Sequence, residues 1–240
     1  MKLLDLTLEI PAANIALDEA LLESAEQADI TDEVLRLWEP AKPLVVLGRS
    51  SEYQREVDAT ACKSHQIPVI RRCSGGATIL TAPNCLMYAV LLSYQKRPHL
   101  RMLEQAHQFV VGKVQQAIQS LGIETRFQGT CDLTIGDQKV SGNALRCKKD
   151  WFLYHGTLLC DGMDLELITD CLGSPKRQPD YRNSRSHSSF ITTMPASSSV
   201  LKQALIETWN ASEPLDQWPD SLTYELVESK YSQAAWNLRI

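Results

Sequence analysis

The stretch Val69 to Ile79, VIRRCSGGATI, sets the reading of this 240-residue chain. An apolar, β-branched lead-in (Ile67, Val69, Ile70) runs into two arginines and Ser74-Gly75-Gly76, and an apolar run then resumes from Ala77 to Leu80. That order predicts strand, tight glycine turn, strand. Paired glycines leave backbone N–H groups open to an anionic group, because no Cβ stands in the way. Arg71 and Arg72 set positive charge beside the turn, and a guanidinium matches phosphate or carboxylate better than an ammonium does. A purely structural turn with solvated arginines would read the same way, so the motif alone names no chemistry.

Working outward, Leu86 to Leu92 is a second apolar strand, which places residues 69–92 in the middle of a sheet. Upstream, Leu4 to Ile10 alternates as an edge strand. Asn14 to Ala25 carries apolar residues on one helical face, with Asn14 as cap and Asp18 and Glu19 as solvated charges. Val34 to Trp38 and Leu44 to Leu47 read as strands. The second ends at Gly48-Arg49-Ser50, another place where backbone donors and a cation could meet an anion. Tyr53 to His65 has helical spacing. Downstream, Arg101 to Leu121 is a helix closed by Gly122, and His107 is placed on its surface. Ile123 to Phe127 and Asp132 to Ile135 are strands. A hairpin turn at Gly136-Asp137 leads to a return strand at Lys139 that Ser141-Gly142-Asn143-Ala144 breaks. Trp151 to Leu159 is a strand and Asp164 to Leu172 a short helix. Residues 173–189 form a polar, mobile loop whose Lys176, Arg177, Arg182 and Arg185 suit either anion contact or solvent. Val200 to Asn210 and Leu222 to Ile240 are helices. No repeat or clean linker divides the chain, so residues 1–240 read as one domain.

Bulk properties agree. At 44% hydrophobic and 22% charged, the composition is that of an ordinary globular protein with a sizeable core. A net charge of −5 argues against a nucleic-acid-binding surface. Seven cysteines at irregular spacing, with no C-x-x-C pair, fit free thiols in a reducing compartment. Met1 to Pro11 does not resemble a secretory leader, and no stretch approaches a membrane span. The expected location is the cytoplasm.

The order strand–RRxSGG–strand, then DLTIGDQKVSGNALR at 132–146, then HGTLL at 155–159, resembles the lipoate–protein ligase and octanoyltransferase family. That family is itself similar in fold to the catalytic domain of biotin–protein ligase. The resemblance runs from NIALDEALLE to the closing KYSQAAWNLR. It implies an α+β fold, a mixed and mostly antiparallel central sheet flanked by helices. It also implies that the loop wrapping the acyl or acyl-adenylate group is Arg71, Arg72, Cys73, Ser74, Gly75 and Gly76, continuing into Ala77 and Thr78. Lys139, in the run with Ser141, Gly142, Asn143 and Ala144, matches the lysine that contacts the activated carbonyl. Arg146 matches a residue near the nucleotide or acyl chain, and His155-Gly156 lies on the strand beside it. Asp132 matches an acidic residue near the adenylate and its Mg2+.

Two departures stand out. Family ligases usually carry a third glycine and a downstream His-Asp, where this chain has Ala77, Thr81 and Ala82. Long bacterial ligases carry a C-terminal accessory domain, which here is expected to be absent or supplied by a separate subunit. Cys131, before Asp132, reads either as a buried small hydrophobe or as a thiolate nucleophile activated by Lys139.

The expected activity is lipoate–protein ligation: ATP and Mg2+ convert lipoate or octanoate to acyl-AMP, and the acyl group passes to a lysine of a lipoyl carrier domain. The implied carriers are the E2 subunits of 2-oxoacid dehydrogenases and the glycine-cleavage H protein. A cationic Lys139 would stabilise the charge that develops on the acyl oxygen. Two alternatives remain. One is a cofactor-free octanoyltransferase that takes its acyl group from acyl-carrier protein through a Cys131 thioester. The other is a non-catalytic protein that binds acyl groups or carriers, motivated by positions 77, 81 and 82.

Overall fold

The computed structural model describes residues 1–175 and 178–239. In chain order the elements begin β1 (Lys2–Asp5), α1 (Pro11–Glu26), β2 (Val34–Trp38), β3 (Leu44–Leu47), α2 (Tyr53–Glu56) and α3 (Ala59–Ser64). There follow β4 (Val69–Arg71), β5 (Ile79–Thr81), β6 (Cys85–Ser93), α4 (Leu103–Gln119), β7 (Arg126–Gln128), β8 (Asp132–Ile135), β9 (Gln138–Cys147) and β10 (Trp151–Leu159). The rest is α5 (Glu166–Cys171), α6 (His187–Phe190), α7 (Ser198–Trp209), β11 (Glu213–Pro214), α8 (Asp220–Leu226), a π-helical turn (Val227–Tyr231) and α9 (Ala234–Asn237).

The large sheet runs β11-β1-β2-β6-β10-β9-β8-β7. It is mixed: β1 pairs in parallel with β2 and β11, and its other neighbours are antiparallel. Strands β6 and β10 are buried along nearly their whole length, as strands covered on both faces must be. One core joins this sheet to α4 and α7, and another joins it to α1. Strand β1 lies one place in from the edge, with β11 outside it, so the expected edge strand at 4–10 is shorter and interior.

The stretch at 69–79 is not a hairpin. Strands β4 and β5 belong to a second, three-stranded sheet and flank β3, which pairs in parallel with β4 and antiparallel with β5. Only β6 joins the large sheet, so residues 69–92 span two sheets rather than the middle of one. The glycine turn therefore links two strands of the small sheet, and its far side lies against β9 of the large one through Ala144.

Helix α1 departs furthest from the amphipathic reading. Apart from Pro11, Glu23 and Glu26, every residue is buried. It packs against β10, α8 and the π-helical turn, so it has no solvated stripe. Asn14 is not the cap. Ile10 holds that position with Pro11 after it, and the Asn14 side chain fastens the preceding chain by bonding Leu8 N–H and Leu8 O at 2.9 and 2.7 Å. Asp18 and Glu19 are buried ion-pair members rather than solvated charges.

Three more expectations change. The helix expected over 53–65 is two short ones, because Val57 pairs with Leu172 and Asp58 caps the second through Ala61 N–H at 2.8 Å. Ser141–Ala144 does not break the return strand, and β9 is continuous through it. The last helix expected over 222–240 is three pieces folded round Tyr231 and Trp236. Of the four cations in 173–189, Arg182 is buried beneath the loop over Phe190, and Arg185 pairs with Asp137 at 2.9 Å. Lys176 and Arg177 lie outside the described residues. His107 is half-buried, with Nδ1 2.8 Å from the Tyr154 hydroxyl.

Candidate active site

The glycine turn is held from within by its own arginines. Arg72 is buried, and its Nε donates to Ser74 Oγ (3.0 Å) and its Nη1 to Val46 O (3.1 Å). Its Nη2 donates to Gly75 O (2.5 Å) and Ala77 O (3.0 Å). Burial pulls its pKa down to about 10, which still leaves it charged near neutrality. Its charge therefore reaches the cavity wall, but most of its donors are spent on shaping the turn. A Cβ on Gly48 would sit 1.8 Å from Gly76 O, so the strand end at 48 and the turn can meet only through glycine.

Arg71 plays no part in the cavity. It is fully buried and donates to the carbonyls of Gly48 and Ser51, both at 2.8 Å, and to those of Trp236, Asn237 and Arg239. It docks the C-terminal segment behind the turn. The Arg49 side chain is exposed on the outside of the turn, and its N–H bonds Ser74 O at 2.8 Å. Arg146 is half-buried opposite Leu153 and lines neither cavity described below. These three cations were expected at the site, and packing places all of them outside it.

Lys139 faces the turn from the large sheet. A β-bulge between Leu133 and Thr134 puts an extra residue into β9 just where Lys139 leaves the strand, and such bulges re-aim side chains. Lys139 Nζ pairs with Asp132 Oδ1 at 2.8 Å, and Asp132 Oδ2 accepts from the Tyr181 hydroxyl at 2.8 Å. The lysine side chain lies flat over Gly142, where a Cβ would come within 2.7 Å of both Cε and Nζ. Gly156 is equally constrained, since its Cβ would meet Asn143 Oδ1 at 1.8 Å. That amide oxygen accepts from the Tyr88 hydroxyl, and its nitrogen donates to Cys131 O at 2.6 Å.

Sequence reasoning missed a polar chain that joins α1 to the turn. Buried Arg36 donates to Asp18, Asp18 Oδ2 lies 2.7 Å from His155 Nδ1, and His155 Nε2 lies 2.6 Å from Ser74 Oγ. Ser74 Oγ also accepts from Arg72 Nε, so the chain runs on into the glycine turn. Burial works against the Asp18 anion, but Arg36 and the hydrogen bonds from His155 and Arg36 outweigh it and hold its pKa below the usual carboxylate range. The available signal was α1 itself: alanines and leucines on all sides leave no face for water.

Two adjoining cavities meet at Lys139. The first, of about 100 Å³, lies among Ile15, Asp18, Trp38, Val46, Met87 and His155 on one side and the Arg72–Ile79 turn on the other. The second, of about 120 Å³, is walled by Glu56, Leu159, Ile168, Arg182, His187 and Phe190. Ala77, Thr78, Ile79, Lys139, Gly142 and Thr157 line both. Glu56 fixes the shared edge by accepting from Thr78 N–H (3.0 Å) and Thr78 Oγ1 (2.7 Å). Both cavities are lined mostly by apolar groups with a few polar ones, the character of a small-molecule site. Thr81 and Ala82 are buried away from them, Thr81 against Met87.

Cys131 is half-buried, lines neither cavity and has its Sγ 3.1 Å from Asn143 O. Burial first, and Asp132 second, push its thiol up to about 11 against the pull of Lys139 and Arg72. That is the reverse of the lowered thiolate pKa expected from Lys139. Both Asp132 oxygens have partners, and no group of three potential ligands gathers among the described residues. The residues present do not form a magnesium cage of their own.

Comparison with known proteins bears on this geometry. A bi-partite lipoate protein ligase from Thermoplasma acidophilum shares the fold, with a TM-score of 0.83 and 22% identity over 99% of this chain and 95% of that one. The octanoyltransferase LipM of Oceanobacillus iheyensis is 26% identical over 92% of this chain and 91% of its own length. A candidate lipoate-protein ligase A from Aeropyrum pernix is 32% identical over 149 residues, 62% of this chain. The chain spans about half of that relative, 53%. No helix among the described residues is long and apolar enough to cross a membrane. The family model for the lipoyl protein ligase A/B catalytic domain matches residues 10–208, and the chain belongs to that family.

Proposed function

We propose that this chain attaches a lipoyl or octanoyl group to a lysine of a lipoyl carrier domain, and that it does so as a ligase. One observation carries the reading: Lys139 Nζ stands where two mostly apolar cavities join, the first bordered by Arg72 and His155 and the second by Arg182 and His187. An acyl chain in the first and a nucleotide in the second would bring an acyl phosphate to the lysine. The carboxylate attacks the α-phosphorus of ATP, forming acyl-AMP and releasing pyrophosphate. The carrier amine then attacks the acyl carbon, the amide bond forms, AMP leaves with the bonding pair, and the amine gives up a proton. Lys139 would hold the carbonyl oxygen as its charge develops. Magnesium is expected to arrive with the nucleotide phosphates, and no step here is assigned to it.

A second reading, octanoyl transfer from acyl-carrier protein, is favoured by the near full-length match to LipM. The setting of Cys131 speaks against that residue as its nucleophile: a thiol outside both cavities, with Sγ 3.1 Å from a carbonyl oxygen. Incubating the protein with apo carrier domain and either lipoate plus Mg·ATP or octanoyl-carrier protein, then weighing the carrier by intact mass, separates the two. Product only from octanoyl-carrier protein would overturn the ligase reading. In that case, loss of product in Cys131→Ala would identify the acyl-enzyme. Full retention of every acyl transfer in Lys139→Ala would leave only a binding role.

A further inference from the structure

Residues 178–192 run along one wall of the second cavity as a strap. It is fastened at two places to the hairpin that carries Lys139. Arg185 pairs with Asp137 and donates to Tyr181 O at 3.0 Å, while Thr192 N–H bonds Lys139 O at 3.0 Å. Between these ties the Tyr181 ring lies against Phe190, with centroids 5.4 Å apart, and its edge reaches towards Gly129. Its hydroxyl donates to Asp132 Oδ2, and the other oxygen of that carboxylate holds Lys139 Nζ, each at 2.8 Å.

A carboxylate with a single partner can turn about its side-chain torsions. A second donor on the other oxygen fixes its plane, and with it the position of whatever the first oxygen holds. Pro179, Arg182, His187 and Phe190 of the strap also line the second cavity, so an occupant there touches the segment that carries Tyr181.

We propose that Tyr181 is a positioning residue: its hydroxyl fixes Asp132, Asp132 fixes the Lys139 ammonium at the cavity junction, and the strap thereby couples occupancy of the second cavity to the placement of the reacting group. The inference rests on the ligase reading for its kinetic arm only. It predicts that Tyr181 acts on acyl transfer through Asp132 and has no separate contact with the reaction.

The variant Tyr181→Phe keeps the ring and removes the hydroxyl. It is expected to lower kcat for carrier acylation about tenfold, the worth of one hydrogen bond to a charged group, with KM for lipoate unchanged. In an Asp132→Asn background the same change should have no further effect. A second arm needs no activity. The native protein is trace-labelled with an amine-directed acylating reagent, and Lys139, whose side chain is 27% exposed, is read on its peptide by mass spectrometry. When Asp132 is free to swing, Nζ is no longer pinned against it, and Lys139 should label severalfold faster in Tyr181→Phe while Lys148 and Lys202 keep their rates. A Lys139 labelling rate unchanged in Tyr181→Phe would overturn the proposal, as would multiplying effects in the double variant. If the wild type acylates no carrier, the ligase reading fails while the labelling arm still decides the Tyr181 link.

Discussion

Gly142→Ala should separate stability from activity. The backbone at 142 lies in the middle of β9 and is not in the left-handed region, so alanine is conformationally acceptable there. The new Cβ would sit 2.7 Å from Lys139 Cε and Nζ and 3.7 Å from Asp132 Oδ1. Ordinary contact begins near 3.4 Å, so the end of the lysine must move by about 1 Å, and a flexible side chain can do so cheaply. Folding should therefore change little, by less than about 1 kcal/mol, because alanine also lowers the entropy of the unfolded chain. The reacting geometry does not share that tolerance: a misplacement of about 1 Å costs on the order of 100-fold in rate. Thermal melting and carrier acylation by intact mass measure the two effects side by side. In a Lys139→Ala background the clash has no partner, and Gly142→Ala should then change nothing further. Wild-type activity in Gly142→Ala would refute the idea that the ammonium must lie where the structure puts it.

Other expectations follow from buried contacts. Gly156→Ala drives a Cβ to 1.8 Å from Asn143 Oδ1 inside two packed strands, and overpacking of this kind should cost about 1 to 3 kcal/mol, read as a lower urea midpoint. Arg36→Met leaves Asp18 charged and buried without its main partner, a loss of about 3 to 5 kcal/mol that calorimetry would register. Asp18 also sets a pH dependence. Its folded pKa is depressed, so its stabilisation is complete above the unfolded value of about 4 and disappears as pH falls through the folded value. An acid titration of stability should show that slope in the wild type and lose it in Asp18→Asn. Arg71→Lys cannot reach five carbonyls at once, and faster proteolysis of the segment after Leu226 is the expected result.

The sequence was most legible where one face of an element meets water. Helix α4 alternates faces and ends near Gly122, which takes a positive φ of 77°, and both its period and its stop could be read. The turn at Gly136-Asp137 and the strands β8 and β10 were legible for similar reasons. Where an element is enclosed, pattern says little. Helix α1 was read as having one apolar face, which left its two carboxylates as surface charge, whereas it is enclosed on all sides and they are paired with Arg36, His155 and Lys230. The sheet partners of β4 and β5 depend on β3, more than twenty residues upstream of β4, and local spacing cannot report that. The site divided in the same way. The Gly75-Gly76 turn was legible from its small residues and Lys139 from the family resemblance of the run around it, and the structure brings the two to one cavity wall. Tyr181 and Glu56 were missed because each acts from another element through a single hydrogen-bonded group. Arginines drew attention as anion binders, and packing turned Arg71 into a structural clamp instead.

That clamp has a temporal consequence. The acceptors that Arg71 needs from Trp236 lie 165 positions downstream, so on a ribosome moving at about 5 to 20 residues per second the guanidinium waits roughly ten to thirty seconds for them. Until they arrive, the cation behind the glycine loop is held by the Gly48 and Ser51 carbonyls without those of the C-terminal segment, and nascent protein should be unable to load an acyl group however well its early strands have formed.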